Sequence, residues 1–552
     1  MNRLAALALW LALPAVAAAQ ESIFDPENPD APPSPAAPAG EEVIGDPENP
    51  GAQAEAPRIV SNTFQSGELQ GRWRLGLWMD AARDQDQESI YEVHNELRMR
   101  ARVSLGESSG AVLEARLRHQ WLLRYDAAGR DALPGRLDDV GDQVALSRVE
   151  LGEAYVSTRL GEGALLRVGQ QRVVWGRTDL FRPADVLNPL DLWGGLGGEG
   201  GLQATAPIWM AKLNYIGRFS ALELVLIPFF EPHRVGLLGG DFALLRSGSP
   251  FLSAGSPGVG LLGRLDPSLY EVWEPALLGG LGQPDQLPEN ASVGARVTTQ
   301  VGGVDVGLGY LLGWDRVPTL RLDPALSELL SLALGPGGLL GGGFSRADLL
   351  RPENLRLLEL VEEVSQRQAQ GEVLVEAGYE RWHVLELDVA TTLGPLGVKA
   401  DVAATPARNF LTERGRTARL ASTQAALGLS WERGQGEVAV TAEGLWLRAF
   451  GAPRGEAVAL FGDDFFALAA GLRLDLELLW GVPALFQVGG LVDLGRGDTI
   501  LSPQLTWRLD EDTRLWGAAQ WFVAPGGEGR SAGIGALADH NDQIGLGLEQ
   551  GF

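Results

Sequence analysis

Alternation constrains this chain more than any other feature. In Val93–Leu105, the side chains of Val93, Leu97, Met99, Ala101, Val103 and Leu105 fall on one face of an extended segment, and those of His94, Glu96, Arg98, Arg100 and Arg102 on the other. The next segment repeats the pattern: Leu113, Ala115, Leu117, Trp121 and Leu123 against Glu114, Arg116, Arg118, Gln120 and Arg124, with His119 the one polar side chain on the apolar face. Successive side chains of a strand point to opposite sides, so a period of two held over about a dozen residues needs one wet side and one greasy side. Soluble sandwiches seldom carry strands this long with so charged a face. A membrane barrel needs strands of about 9–11 residues, apolar outward and polar inward. In lipid only closed barrels and helices satisfy their backbone groups.

From Arg72 to the C-terminus the same pattern gives about eighteen strands, with sixteen as the alternative count. Connections alternate in phase. Short ones such as Gly106–Gly110, Gly161–Gly163, Gly302–Gly303 and Gly394–Gly397 follow long ones such as Asp126–Leu146, Gly176–Trp209, Glu231–Ala291, Asp315–Glu376 and Thr405–Thr423. Short turns at one rim and long loops at the other mark outer-membrane barrels. The expected fold is therefore all-β: a transmembrane, antiparallel, up-and-down barrel whose long outer loops carry short helices. The last strand fits, with Ile544, Leu546, Leu548 and Phe552 on one face and Gly545, Gly547 and Gly551 on the other. Phe552, an aromatic ending an alternating strand, reads as an assembly signal for the barrel-assembly machinery; Gln550 departs from that pattern.

Composition agrees. Acidic residues number 71 against 45 basic, a net charge of −26, which argues against a nucleic-acid partner. There is no cysteine, so disulfide scaffolds and thiolate metal sites are excluded. Residues 1–19 read as a secretory signal: Arg3, an apolar core over Leu4–Ala15, and Ala17-x-Ala19. Residues 20–57, rich in Pro, Ala and acids, read as a disordered periplasmic leader in which Asp25–Pro29 is echoed by Asp46–Pro50. Residues 58–552 form the barrel, and the expected location is the bacterial outer membrane, in contact with its lipid.

Three features bear on function. First, a strand ending at Trp175 gives way at Gly176 to a stiff loop with Asp179, Pro183, Asp185, Asn188, Pro189 and Asp191, flanked by Trp193. Prolines remove ladder donors and fix φ, so this segment cannot be another strand. An inward fold would narrow the lumen, and its three aspartates make at best a weak calcium site. Second, Arg98, Arg100 and Arg102 lie two apart, with Arg116 and Arg118 on the next strand. On a lipid face each would cost roughly 2–4 kcal/mol, so they face the lumen. There they set selectivity for anions, or pair with Glu96, Glu114 and the loop acids and brace the wall. Third, the outer loops are apolar: a helix opened by Asp323-Pro324 and running through Leu334, a second within Pro352–Gln368, and Leu261, Leu262, Tyr270, Trp273 and Leu277 within Phe251–Leu287.

The residues Trp175-Gly176 and Pro183-Ala184-Asp185-Val186-Leu187-Asn188-Pro189-Leu190-Asp191 resemble the signature of a family of uncharacterised proteobacterial outer-membrane barrels. The likeness continues through Ala206–Tyr215, Leu222–Phe230, Pro288–Arg296 and Tyr310–Pro318. The resemblance implies a porin-like barrel, in some members associated with exporters of the resistance-nodulation-division class. It implies no biochemical activity.

Catalysis is not expected: the five histidines His94, His119, His233, His383 and His540 are scattered, and no nucleophile elbow, phosphate loop or metal-ligand spacing occurs. Neither a cofactor nor a metal is expected. The sequence points to a porin-like channel for passive passage of a small solute. Transport of a hydrophobic or lipid-like molecule, handed over by an inner-membrane exporter, is a second reading. A non-transport barrel with partner-binding loops is the third. Homo-oligomerisation is left open.

Overall fold

The alternation closes on itself. The structure, a computed structural model, describes residues 66–81, 90–122, 147–192, 205–235, 283–317, 319–326, 328–329, 356, 359–360, 362–364, 366–367, 370, 372, 375–411, 417–434, 437–452, 463–479, 481–523 and 542–552. The expected signal and leader, Trp193 and the apolar stretch up to residue 282 lie outside the described residues. Along the chain the strands are β1 (Ser66–Asp80), β2 (Ile90–Ser104), β3 (Ser109–Leu122), β4 (Ser147–Arg159), β5 (Ala164–Gln171), β6 (Asp191–Leu192), β7 (Ile208–Ile216) and β8 (Ser220–Ile227). They continue as β9 (Arg234–Val235), β10 (Ser292–Val301), β11 (Val304–Trp314), β12 (Thr319–Leu322), β13 (Val375–Gly378), β14 (Arg381–Leu393) and β15 (Leu396–Leu411). The rest are β16 (Thr417–Arg433), β17 (Val438–Phe450), β18 (Asp464–Leu479), β19 (Val482–Asp493), β20 (Thr499–Arg508), β21 (Thr513–Val523) and β22 (Gln543–Gly551). Eighteen of these form one antiparallel sheet, and β1 pairs with β22 as well as with β2, so the sheet has no edge. The other four make two small ribbons, β6 with β9 and β12 with β13.

Side-chain period follows the pleat. On β17, Ala439, Thr441, Glu443, Leu445, Leu447 and Ala449 are buried in the enclosed interior, while Val440 and Phe450 are exposed. The outward set around the barrel includes Leu69, Leu113, Leu117, Trp121, Leu224, Leu308, Leu385, Leu427, Leu468 and Leu546, all exposed. Apolar surface of this extent around a closed barrel is suited to hydrocarbon rather than water. Inward, Arg98 lies opposite Arg116, Arg100 opposite Glu114 and Glu96 opposite Arg118, so the two arginine runs are neighbours.

At one rim the turns are short: the pair Gly302-Gly303, with φ of 59° and 82°, joins β10 to β11, positive at both positions as a tight hairpin requires. The strand ends that the longest connections join all lie at the opposite rim. Two boundaries differ from the sequence reading. The strand expected to reach Trp175 ends at Gln171, because Val173 and Trp175, though spaced as strand residues, turn inward and are buried against the following loop. The loop expected over Thr405–Thr423 is mostly strand: β15 runs to Leu411 with a register shift between Thr405 and Arg408, where Pro406 lacks a ladder donor, and β16 starts at Thr417.

The first expected outer helix begins as read, and the start of the second lies outside the described residues. The Asp323 carboxylate accepts the Ala325 N–H at 2.9 Å, and helical residues occur within 324–329 and 356–367. Leu326, Leu329, Leu360 and Val364 are buried, and Arg356–Glu328 (3.0 Å) and Arg367–Asp323 (2.8 Å) tie the two segments together. At the seam, Gly71 and Phe552 exchange both backbone hydrogen bonds, and the Phe552 ring lies where a Cβ on Gly71 would stand.

Candidate functional site: a loop across the barrel

The loop after β5 does not stay at the rim. Just past Gln171 it is fastened to the near wall by Asn188, which accepts the Val173 N–H at 3.0 Å and donates to the Ala206 carbonyl at 3.0 Å. One buried asparagine thus closes both ends of the loop, because its amide offers an acceptor and a donor at once. Arg316, just beyond β11, donates to the carbonyls of Val186 (2.9 Å) and Leu187 (2.5 Å), satisfying backbone that has no ladder. Pro189 contributes its carbonyl, accepting the Ala206 N–H at 2.8 Å, and Pro183 opens the tight turn in which the Asp185 N–H reaches the Arg182 carbonyl. Trp175 is fully buried, lies against Gly294 of β10, and donates to Glu223 of β8 at 2.5 Å. Around it Val173, Val186 and Leu187 of the loop pack on inward-facing Ile208, Met210, Val225, Ile227, Leu311, Trp382, Val384 and Ala403. This is a soluble-type core enclosed by the barrel wall.

The tip then reaches the far wall. Asp401 on β15 accepts from the N–H groups of Arg177 (2.8 Å) and Thr178 (3.1 Å) and from the Thr178 hydroxyl (2.5 Å). Glu443 on β17 accepts from the N–H groups of Asp179 (2.6 Å), Leu180 (2.8 Å) and Phe181 (2.8 Å). Lys399 grips Asp179 at 2.7 Å, and Arg177 pairs with Asp388 at 2.9 Å. In the ring of eighteen, β17 is eight places beyond β5, where nine would be diametrically opposite. Asp388, Asp401 and Glu443 each stand six or seven residues from a short turn, about 15 Å above that rim for tilted strands, near the mid-height of the barrel.

Glycines make room for these carboxylates. Gly307 and Gly309 on β11 lie opposite Asp388 and Glu386, whose side chains occupy the space a Cβ would take. Arg296 from β10 then bridges Glu386 (3.0 Å) and Asp388 (2.6 Å).

Every residue of the arginine ladder faces a carboxylate. Arg98 meets Glu114 (2.9 Å), Arg100 meets Glu153 (3.0 Å), Arg102 lies 4.0 Å from Glu68, and Arg116 meets Glu114 (2.8 Å). Arg118 is near Glu96 (3.1 Å), Glu150 (3.7 Å) and Asp191 (3.8 Å). Five arginines face six carboxylates, of which Glu150 also pairs with Arg148 at 3.3 Å, so the positive charge of the ladder is largely offset.

Burial shifts Asp185 within the loop and His233 beside it. Desolvation pushes the Asp185 carboxyl up to about 6, against the pull of Arg182, Arg172 and Arg316. Burial pulls His233 well below its usual value, so its ring is neutral and Nδ1 accepts the Leu190 N–H at 2.8 Å. The three loop aspartates are not gathered: Asp179 pairs on β15, Asp191 on β3, and Asp185 lies buried between. No grouping of metal ligands occurs among the described residues.

Glu386, Asp388, Lys399, Asp401 and Glu443, which hold or face the loop tip, were not singled out from sequence, nor was Arg316. The signal was available in part: Glu386 and Asp388 are inward-parity charges between Val384 and Ala390, opposite two alternating glycines.

Residues 59–218 match the model of a family described as "Protein of unknown function (DUF1302)"; this stretch contains the Trp175–Asp191 motif but not Pro288–Pro318. No curated protein matches the chain. Among solved structures, a Salmonella typhi OmpF complex with daunomycin is similar over 89% of this chain and 99% of its own, at 8% identity and a TM-score of 0.38. A mutant porin of Rh. blastica is similar over 88% and 100%, at 11% identity and a TM-score of 0.34. Likeness this loose adds nothing to what the strand pairing already establishes.

Proposed function

We propose that the protein is an outer-membrane channel for passive passage of small solutes, its lumen divided by the loop from Arg172 to Pro207. One observation carries this reading: the loop is hydrogen-bonded to both walls at mid-height, so a solute must pass beside it. The charge-balanced ladder on β2 and β3 lines one side of the passage and favours weak rather than strong ionic selectivity. Removing Thr178–Leu192 tests the assignment in planar bilayers. Single-channel conductance should rise several-fold, and an unaltered conductance would refute the loop's role.

The apolar cluster around Trp175 favours a second reading, passage of a molecule with an apolar part. It lies inside the barrel, where a purely aqueous channel has no use for it. Outer-membrane lipid, the barrel-assembly machinery, an inner-membrane exporter and further copies of the chain are the partners this reading accommodates.

A further inference from the structure

Strand register sets charges from seven adjacent strands in one climbing row. Arg508 of β20 lies opposite Arg514 of β21, Arg514 opposite Glu549 of β22, and Glu549 opposite Arg74 of β1. From there Arg74 faces Glu96 of β2, Glu96 faces Arg118 of β3, and Arg118 faces Arg148 of β4. Their parity is inward: Ser502, Trp516, Gln543, Trp78 and Glu114, on the same faces of these strands, are buried. Six steps of one strand spacing make the row about 29 Å long, and for strands tilted by about 40° it climbs about 19 Å of the barrel's height. Its ends agree with that climb. Arg508 is the last residue of β20 and Arg514 the second of β21, at the rim of short turns, whereas Arg148 is the second residue of β4, toward the opposite rim.

The row stands in water. The side chains of Arg508, Arg514 and Arg148 are 42%, 47% and 37% exposed. Across the barrel, Glu443 and Asp388 are 1% and 0% exposed, closed off where they hold the loop tip. A solute that passes beside the loop therefore meets the row and not the carboxylates of β14 and β17.

Signs alternate along it. The middle five residues read Arg514, Glu549, Arg74, Glu96 and Arg118, so each glutamate has a guanidinium on either side. The five arginines of the row are matched by five carboxylates. Asp475 lies 3.0 Å from Arg508, Glu549 3.4 Å from Arg514, and Glu96 3.1 Å from Arg118. Glu150 is 3.3 Å from Arg148, and Asp191 of the loop 3.8 Å from Arg118. Arg74 also stacks its guanidinium 4.8 Å from the centre of the Trp516 ring. The neighbouring row is met in the same way, Arg72 by Glu549 (3.9 Å) and Arg98 and Arg116 by Glu114 (2.9 and 2.8 Å).

Ion pairs this open contribute little to stability, so their members exchange partners at low cost. A solute with a single charge satisfies one member of a pair and strands the other. A solute with both charges satisfies both, its carboxylate on a guanidinium and its ammonium on the glutamate one strand away, about 4.8 Å. Net charge then counts for little, in keeping with weak ionic selectivity.

We propose that this row is a binding track for small zwitterions, amino acids and short peptides, which move along it by exchanging ion-pair partners from strand to strand. The proposal rests on the reading of the barrel as a channel and names the class of solute that the same lumen takes.

Four solutes of like size separate charge from shape: diglycine (a zwitterion), acetylglycine (an anion), glycylglycinamide (a cation) and acetylglycinamide (neutral). Each is radiolabelled, and its efflux from proteoliposomes near neutral pH is measured against protein-free liposomes. Diglycine should leave several-fold faster than each of the other three. In Glu96→Gln that lead should shrink several-fold, because the guanidiniums keep an acceptor while the ammonium loses its carboxylate. Arg514→Gln, half exposed at the rim of short turns, should shrink it likewise and serves should Glu96→Gln not assemble. Any of the three others matching diglycine, or a lead untouched in the variant that assembles, overturns the proposal and leaves the channel standing. Efflux of all four no faster than from protein-free liposomes overturns the channel reading itself, so the two failures are told apart.

Discussion

A carboxylate can hold two guanidiniums only where nothing crowds it. Glu114 is fully buried between Arg98 and Arg116, and the space its side chain fills beside β4 exists because Gly152 has no Cβ. In Glu114→Gln the pair of arginines keeps its hydrogen-bond acceptor but loses the compensating charge. Reversal potentials should then move toward anions, by on the order of twofold in permeability ratio for one unit charge beside an aqueous lumen. An unmoved potential would show that solute does not pass along this wall. Asp185 poses the opposite problem, a carboxyl that burial holds near 6 against 3.8 in a solvated chain. With the folded value raised, the loop is most stable below pH about 4 and loses that advantage as pH rises through about 6, on the order of 2–3 kcal/mol in all. Asp185→Asn mimics the neutral form. Hydrogen exchange of the loop amides should therefore be slower in the variant above pH 6 and alike in the two proteins at pH 4.

At the scale of the element, legibility stopped where local rules stop. All eighteen barrel strands could be placed from alternation, since period two is written in each segment separately. The first outer helix announced itself through Asp323-Pro324, the second through apolar residues at helical spacing within Pro352–Gln368. The partners of the loop did not. Thr178 and Asp401 are bonded across 223 residues, and parity says only that Asp401 faces the interior, not which segment it meets there. The early end of β5 was hidden for a similar reason: Val173 and Trp175 keep strand spacing, but the surface they cover is the loop's own core rather than lipid. The arginine ladder was legible as inward-facing, and two of its partners, Glu96 and Glu114, lie on the same two strands. Glu153 and Asp191 come from farther along the chain.

At the scale of the whole molecule, closure depends on one seam. β1 and β22 pair over nine residues, and beyond them the main chains of Gly71 and Phe552 complete the register. Removing Phe552 takes away that last pair of hydrogen bonds and the ring that covers Gly71. The truncated chain should reach the membrane with a several-fold lower yield of compact, heat-modifiable barrel on electrophoresis. Normal yield would mean that the seam closes without its final residue.

The wall is also uneven in height. β5, β7 and β8 have 8, 9 and 8 residues, whereas β15, β16 and β18 have 16, 17 and 16. Eight tilted residues reach about 20 Å, short of the roughly 25 Å apolar belt usual for such barrels. In the membrane proposed for it, lipids bordering the low flank compress, or the cylinder leans. A bevelled cylinder of this kind fits thin bilayers better than thick ones, and the thinnest lipid around it will lie on the flank where its wall is lowest.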